Sequence, residues 1–342
     1  MMHLMNLRTA LISALIPALC LPLLLSAAEP DMSISNGPLQ AKIYLPDAKD
    51  GFYKGTRFDW SGVIHSLTFK GHDYYGPWFQ ERRDSVKDFI YEGGKVVTGP
   101  ASSITGPAEE YAPLGFDEAP AGGVFVKLGI GALRKPDSAA YDHYKTYQFV
   151  DEGKWTVTHG PDWVTFRHDL TAPNGLAYVY TKTVRLVPGQ PKMILEHSLR
   201  NTGKVAIKTS GYNHNFVTID GKPAGPGYTI AAAFNIKTPK PLEGILATIS
   251  GNQIAYRKKL QGEDRVTTPF QGYGTTAADY DFRIESKDAG AGIHFTGDKP
   301  LSRAMMWSIR TVVSVEPFID LNVEPGKEMT WNYNYEFYTL NK

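Results

Sequence analysis

The stretch GYNHNFVTID, residues 211–220, sets His214 between two asparagines and just before Phe216. It lies between runs that alternate like β-strands, where a half-buried strand usually spends its inward positions on apolar groups. An imidazole titrates at about 6.5 and can give or take a proton near neutral pH. A second proton carrier stands far along the chain. Glu316, in VSVEPFID, is held extended by the proline that follows it. An imidazole and a carboxylate on separate strands suit the opening of a cyclic hemiacetal, in which a base removes the anomeric hydroxyl proton and an acid protonates the ring oxygen. On this reading His214 is the acid and Glu316 the base. The two face one pocket, with room for a sugar ring between them. Asn213 and Asn215 point away from His214, because successive strand side chains alternate, and Phe216 lies on the side opposite the cleft.

Other residues could hold a substrate. Arg57, in GTRFDWSG, has a planar fork that donates two bonds at once, although a surface ion pair with Asp59 would explain it equally well. Tyr212 and Asn213 flank His214 and join the substrate-binding candidates. His72 in GHDYYGPW and His143 in YDHYKTY lie among aromatic residues that could line a sugar site. His65 and His197 fall within strand patterns and read as core or pairing residues. The NHN and RHD triplets lack the spacing of a metal site, and no metal or cofactor is expected. No glycine-rich nucleotide loop and no nucleophile elbow occurs in the sequence.

The composition narrows the partners. Residues 1–28 carry Arg8, an apolar run from Ala10 to Leu25, and a Ser-Ala-Ala ending suited to a signal-peptidase cut. Pro17 and Pro22 interrupt the run, which disfavours a membrane span. Cleavage would release a periplasmic or secreted protein with no membrane anchor. It would also remove Cys20, the one cysteine of the chain, so the fold must rest on its core without disulfides. Lysine and arginine number 36 against 35 acidic residues, so no basic surface argues for nucleic acid. The aromatic share of 12% suits both sheet packing and carbohydrate binding.

The elements that must position these residues are strands. AYVYTKTVRLV puts Tyr178, Tyr180, Lys182 and Val184 on one face. MTWNYNYEFYTL puts Met329, Trp331, Tyr333, Tyr335 and Phe337 on one face. Turn sequences at 151–154, 172–175, 187–191, 201–204 and 324–328 separate such runs. The expected fold is all-β, one large antiparallel β-sandwich over 29–342. The irregular segment 80–120 would be an insertion lying over one sheet.

Three stretches carry a family resemblance. KMILEHSLRNTGKVAIKTSGYNHNF runs strand, NTG turn, strand, then a histidine close to a phenylalanine. VVSVEPFIDLNVEPGKEMTWNYNYEF has a Glu-Pro segment, a PGK turn and a last strand of pattern W-x-Y-x-F. DWSGVIHSLTFKGHDYYG reads as an opening hairpin. Together they resemble the galactose mutarotase (aldose 1-epimerase) superfamily, whose supersandwich fold the resemblance implies here. It also implies His214 as general acid, Glu316 as general base, Arg57 as an early sugar-binding arginine, and a carbohydrate substrate. Two departures stand out: one residue separates His214 from Phe216 where the family has two, and the family's second histidine has no counterpart in APLGFDEAPAGG. Three functional classes stay open: an isomerase of aldoses or modified sugars, a lyase abstracting a proton beside a uronic carboxyl, and a non-catalytic sugar-binding module.

Overall fold

The computed structural model describes residues 29–240, 242 and 245–341; the leader and Cys20 lie outside the described residues. The described chain is built from strands, antiparallel except where Glu81–Arg82 pairs with Lys95–Thr98, with single 3-10 turns at Ile219–Gly221 and Ala277–Asp279. The last strand, Glu328–Thr339, shows why. Trp331, Tyr333, Tyr335 and Phe337 are buried while the residues between them reach the surface. A period of two cannot be satisfied on a helix, so the segment stays extended and buries one face. It pairs with Lys192–Asn201 on one side and Ala291–Gly297 on the other, at the middle of a ten-stranded sheet. The five turn sequences all fall between strands.

A five-stranded sheet covers this large one. Its strand order is Arg265–Phe270, Arg303–Ile309, Val312–Val323, Ile207–His214 and Ala108–Tyr111. Val313, Val315, Ile319 and Leu321 face inward from it and share one apolar core with Leu195, Trp331 and Tyr333 of the large sheet. The segment 80–120 is more than an insertion over a sheet. Phe89–Glu92 and Lys95–Thr98 form a small separate sheet with Glu81–Arg82, but Ala108–Tyr111 is the edge strand of the five-stranded sheet itself. Its AEEY sequence hides polar residues on both faces, so it carries no alternation to reveal it.

Candidate active site

The outer face of the five-stranded sheet is the floor of the site. Alternation sends Tyr212 and His214 outward from one strand, Ser314, Glu316 and Phe318 from the next, and Arg303, Met305 and Trp307 from the third. The register sets Tyr212 opposite Phe318, Met305 opposite Glu316, and Trp307 opposite Ser314. All of these side chains except Ser314, with Arg57, Trp78, Glu110, His143 and Phe216, line one cleft of about 570 Å³. That is the size of a small-molecule site, with room for more than one sugar ring.

His214 and Glu316 meet directly on this floor. His214 Nε2 lies 3.3 Å from Glu316 Oε1, and both side chains are buried. The expected gap for a sugar ring between them is absent. The two residues stand on neighbouring strands of one sheet, at register positions that bring their side chains into contact. Burial pushes the Glu316 carboxyl up to about 8, against the opposing pull of Arg57. Burial also holds the His214 imidazole well below its ordinary value, and the Arg57 charge adds to this. At neutral pH the contact therefore joins a carboxylic acid to a neutral imidazole, with one exchangeable proton on the carboxyl. Behind the ring, Ser314 Oγ is 2.8 Å from His214 Nδ1 and accepts the Asn215 N–H at 3.1 Å. A rotating hydroxyl can donate to Nδ1 or accept from it, so either tautomer keeps its inner partner.

The two asparagines do face away from the cleft, as alternation requires. Asn213 Nδ2 donates to the Tyr335 hydroxyl at 2.7 Å, and that hydroxyl donates to Asn215 Oδ1 at 3.0 Å. Asn215 Nδ2 also donates to the Val315 carbonyl. Asn213 thus binds the opposite sheet rather than a substrate. Phe216 departs from expectation too. Its ring stacks on the His214 imidazole with centroids 3.5 Å apart, on the cleft side, and Trp78 stacks behind it at 5.4 Å. Phe216 takes a left-handed backbone conformation, φ 35°, where the chain leaves the strand. Gly106 is what lets it pass: a Cβ there would stand 2.4 Å from the Asn215 carbonyl oxygen.

Arg57 lies in the same cleft, but much of its fork is committed. Nε donates to Glu110 Oε2 at 2.7 Å and an Nη donates to the Tyr212 hydroxyl at 3.0 Å. Tyr212 in turn donates to Glu110 at 2.6 Å, closing a buried triangle. Its pairing with Asp59 does not occur; Asp59 faces the interior, where its carboxylate receives the Ser61 and Tyr180 hydroxyls. Glu110 is the central residue that sequence reading missed. Burial opposes its ionisation, yet Arg57 and Lys127 outweigh this and hold it well below the usual carboxylate range. His143 completes the group, Nδ1 3.4 Å from Glu110. His72 does not belong to the cleft: its Nδ1 pairs with Asp220 at 2.7 Å, beside the turn at Ile219–Gly221. The aromatic walls Trp78 and Trp307 were also missed. The alternation of Arg303, Met305 and Trp307 against buried Ala304 and Met306 was available as a signal.

A second histidine–glutamate pair gives the contrast. His197 Nε2 is 3.0 Å from Glu109, but Trp331 stacks on that imidazole at 4.8 Å and Lys182 contacts the same carboxylate. This pair is sealed between the sheets, while His214 and Glu316 open onto the cleft.

No family model and no curated protein matches the chain in sequence. Solved structures match over most of its length. The Slr1438 protein of Synechocystis sp. PCC 6803 superimposes with a TM-score of 0.51 at 12% identity, over 91% of this chain and 96% of that one. A putative aldose 1-epimerase of Escherichia coli K12 gives 0.50 at 15%, over 91% and 99%. A GalM/aldose epimerase homologue of C. elegans gives 0.50 at 14%, over 92% and 100%. At these identities the likeness is one of fold: a galactose mutarotase-like sandwich.

Proposed function

We propose that this galactose mutarotase-like sandwich is an isomerase that interconverts the anomers of a sugar by acid–base ring opening. The observation that carries the reading is the buried His214–Glu316 contact, opening onto a cleft with aromatic walls. One exchangeable proton between two groups is what the reaction uses. Glu316 protonates the ring oxygen while His214 takes the anomeric hydroxyl proton; the bond from the anomeric carbon to the ring oxygen breaks and the carbonyl forms. Rotation about the neighbouring carbon–carbon bond is followed by reclosure. Glu316 then takes back the ring-oxygen hydroxyl's proton and His214 returns its proton to the anomeric oxygen, so the pair again holds one. This exchanges the two roles inferred from the family resemblance, because burial leaves the proton on the carboxyl. Glu110, ionised and fixed by Arg57, is placed to accept substrate hydroxyls, and the rings of Trp78, Phe216 and Trp307 offer apolar faces to a sugar.

The test is relaxation of anomeric proton signals by NMR, for a panel of aldoses and acidic sugars. H214A and E316Q should each lower turnover by about 100-fold or more with the fold intact. Turnover at the wild-type rate in either variant overturns the assignment. The lyase alternative is less well supported. With Tyr212 as its base it meets an obstacle, since burial and Glu110 push the phenol's ionisation up and its proton is directed at Glu110. With His214 as its base it stays open, and release of unsaturated uronate products, followed by absorbance, would favour it. We further propose export, with cleavage after Ala28. Intact mass of the protein from the periplasm or medium should begin at Glu29; retention of Cys20, with or without lipid, contradicts this.

A further inference from the structure

The cleft carries more positive charge at its mouth than its chemistry needs. Arg303 and Arg265 both line the cleft, at opposite ends of two adjacent strands of the floor, Arg265 standing opposite Ile309. Among the described residues neither has a carboxylate within 4.0 Å and neither makes a side-chain hydrogen bond, although the chain as a whole is nearly balanced at +1. Arg303 is nevertheless held in place. Its guanidinium lies 3.7 Å over the Phe318 ring, which itself stacks on Tyr212 at 4.3 Å. A stacked guanidinium keeps its N–H edge free for an in-plane acceptor. Asp264, beside Arg265 in sequence, is spent on Lys258 at 3.3 Å.

The cleft's own carboxylates leave this charge uncancelled. Glu110 is matched by Arg57 and Lys127, and Glu316 holds its proton at neutral pH. Asp88, the one other carboxylate of the lining, accepts the Ser102 hydroxyl at 2.5 Å, so among the described residues two unpaired arginines face one unpaired carboxylate. Arg303 pairs across the sheet with Phe318, and Met305 pairs with Glu316. Arg303 is therefore the diagonal neighbour of Glu316, about 7–8 Å away between backbones. If Glu316 serves the ring oxygen, a group one carbon beyond the ring, on the side of that oxygen, comes within reach of the arginine. We propose that the substrate is an acidic sugar, with a carboxylate or phosphate on the exocyclic carbon next to the ring oxygen, bound by Arg303. This rests on the isomerase reading for the orientation of the sugar, but not for the binding of the anion.

The experiment pairs binding with turnover. Calorimetric affinity and NMR anomer exchange are measured for glucose, glucuronate and glucose 6-phosphate, and for the galacto series, at low and high salt. An acidic sugar should bind at least about 10-fold tighter than its neutral parent, with the advantage shrinking in salt. Loss of the charged contacts in R303Q should reduce that advantage by about 10- to 100-fold. R303K keeps the charge without the fork and should fall between; circular dichroism checks that both variants fold. Glucuronate against glucose 6-phosphate decides which anion fits. Equal affinity for neutral and acidic sugars, or an unchanged preference in folded R303Q, overturns the proposal while leaving the isomerase reading standing. Arg303-dependent binding of an acidic sugar without faster anomer exchange retains the anion site and rejects the isomerase.

Discussion

The chemistry of His214 and Glu316 rests on a proton count. In the proposed mechanism the pair must hold one proton, so activity should be level around neutral pH and fall as the pH rises through about 8, where Glu316 ionises. It should also fall in acid, below the ordinary range of histidine, once His214 is protonated as well. A rate that keeps rising beyond pH 9 would reject a singly protonated pair. The same shift bears on stability. The folded carboxyl binds its proton more tightly than the unfolded one. Its contribution is thus complete below about 4.5 and lost as the pH rises through about 8. E316Q cannot ionise, so it should melt above the wild type at pH 9 and not at pH 4, while being the less active protein. Thermal denaturation at the two pH values measures this.

At the scale of elements, the site depends on how one strand ends. The strand Ile207–His214 stops at the proposed proton carrier, and the two residues after it are held from three directions. Tyr335 from the large sheet bridges Asn213 and Asn215, Ser314 receives the Asn215 N–H, and Gly106 gives way to its carbonyl. Y335F leaves two buried amide groups without their partner and should destabilise the protein by about 1–3 kcal/mol. G106A should destabilise it by a similar ~1–3 kcal/mol, because the added methyl must displace backbone. It should lower kcat as well, since the displaced segment carries Phe216, the ring stacked on His214. Denaturant titration with parallel kinetics checks both; G106A at wild-type stability and rate would show that the close approach does not matter.

Across the whole molecule, neighbouring residues split the same charges between two environments. Arg57 and Glu110 face the cleft, whereas Asp59 and Glu109, on the same two segments, face the interior. The backbone joins them, Asp59 N–H to Glu109 carbonyl at 2.8 Å. Inside, Lys182 of the large sheet contacts Glu109 and lies 3.7 Å from Asp59, so one ammonium ties both sheets and the loop together. Burial opposes the Glu109 charge, but His197 and Lys182 outweigh it and hold the carboxyl down to about 2. That contribution is present above about 4.5 and lost as the pH falls toward about 2. K182M leaves two carboxylates buried against each other and should lose about 3–5 kcal/mol. The deficit should narrow in mild acid, where protonation removes the uncompensated charge. A deficit that is the same at pH 7 and pH 4.5 in urea unfolding would mean the charges do not act this way.

Much of the architecture is local in origin and therefore legible in the sequence. Whether a side chain points up or down a strand is fixed by backbone geometry, so the faces of Glu328–Thr339 and the outward turn of His214 between Asn213 and Asn215 follow from order alone. The turn sequences are local in the same way, and so is the all-β character they punctuate. Which strands become neighbours is not local. The five-stranded sheet takes its members from four separated parts of the chain, and that order brings Glu316 against His214, while a loop from yet another part brings Arg57 against Glu110. Two adjacent glutamates in AEEY look alike in sequence; the packing of one sheet on another makes Glu109 a sealed structural ion and Glu110 a cleft residue. The proton on Glu316 has the same origin, because desolvation depends on what folds over a group and not on its neighbours in the chain.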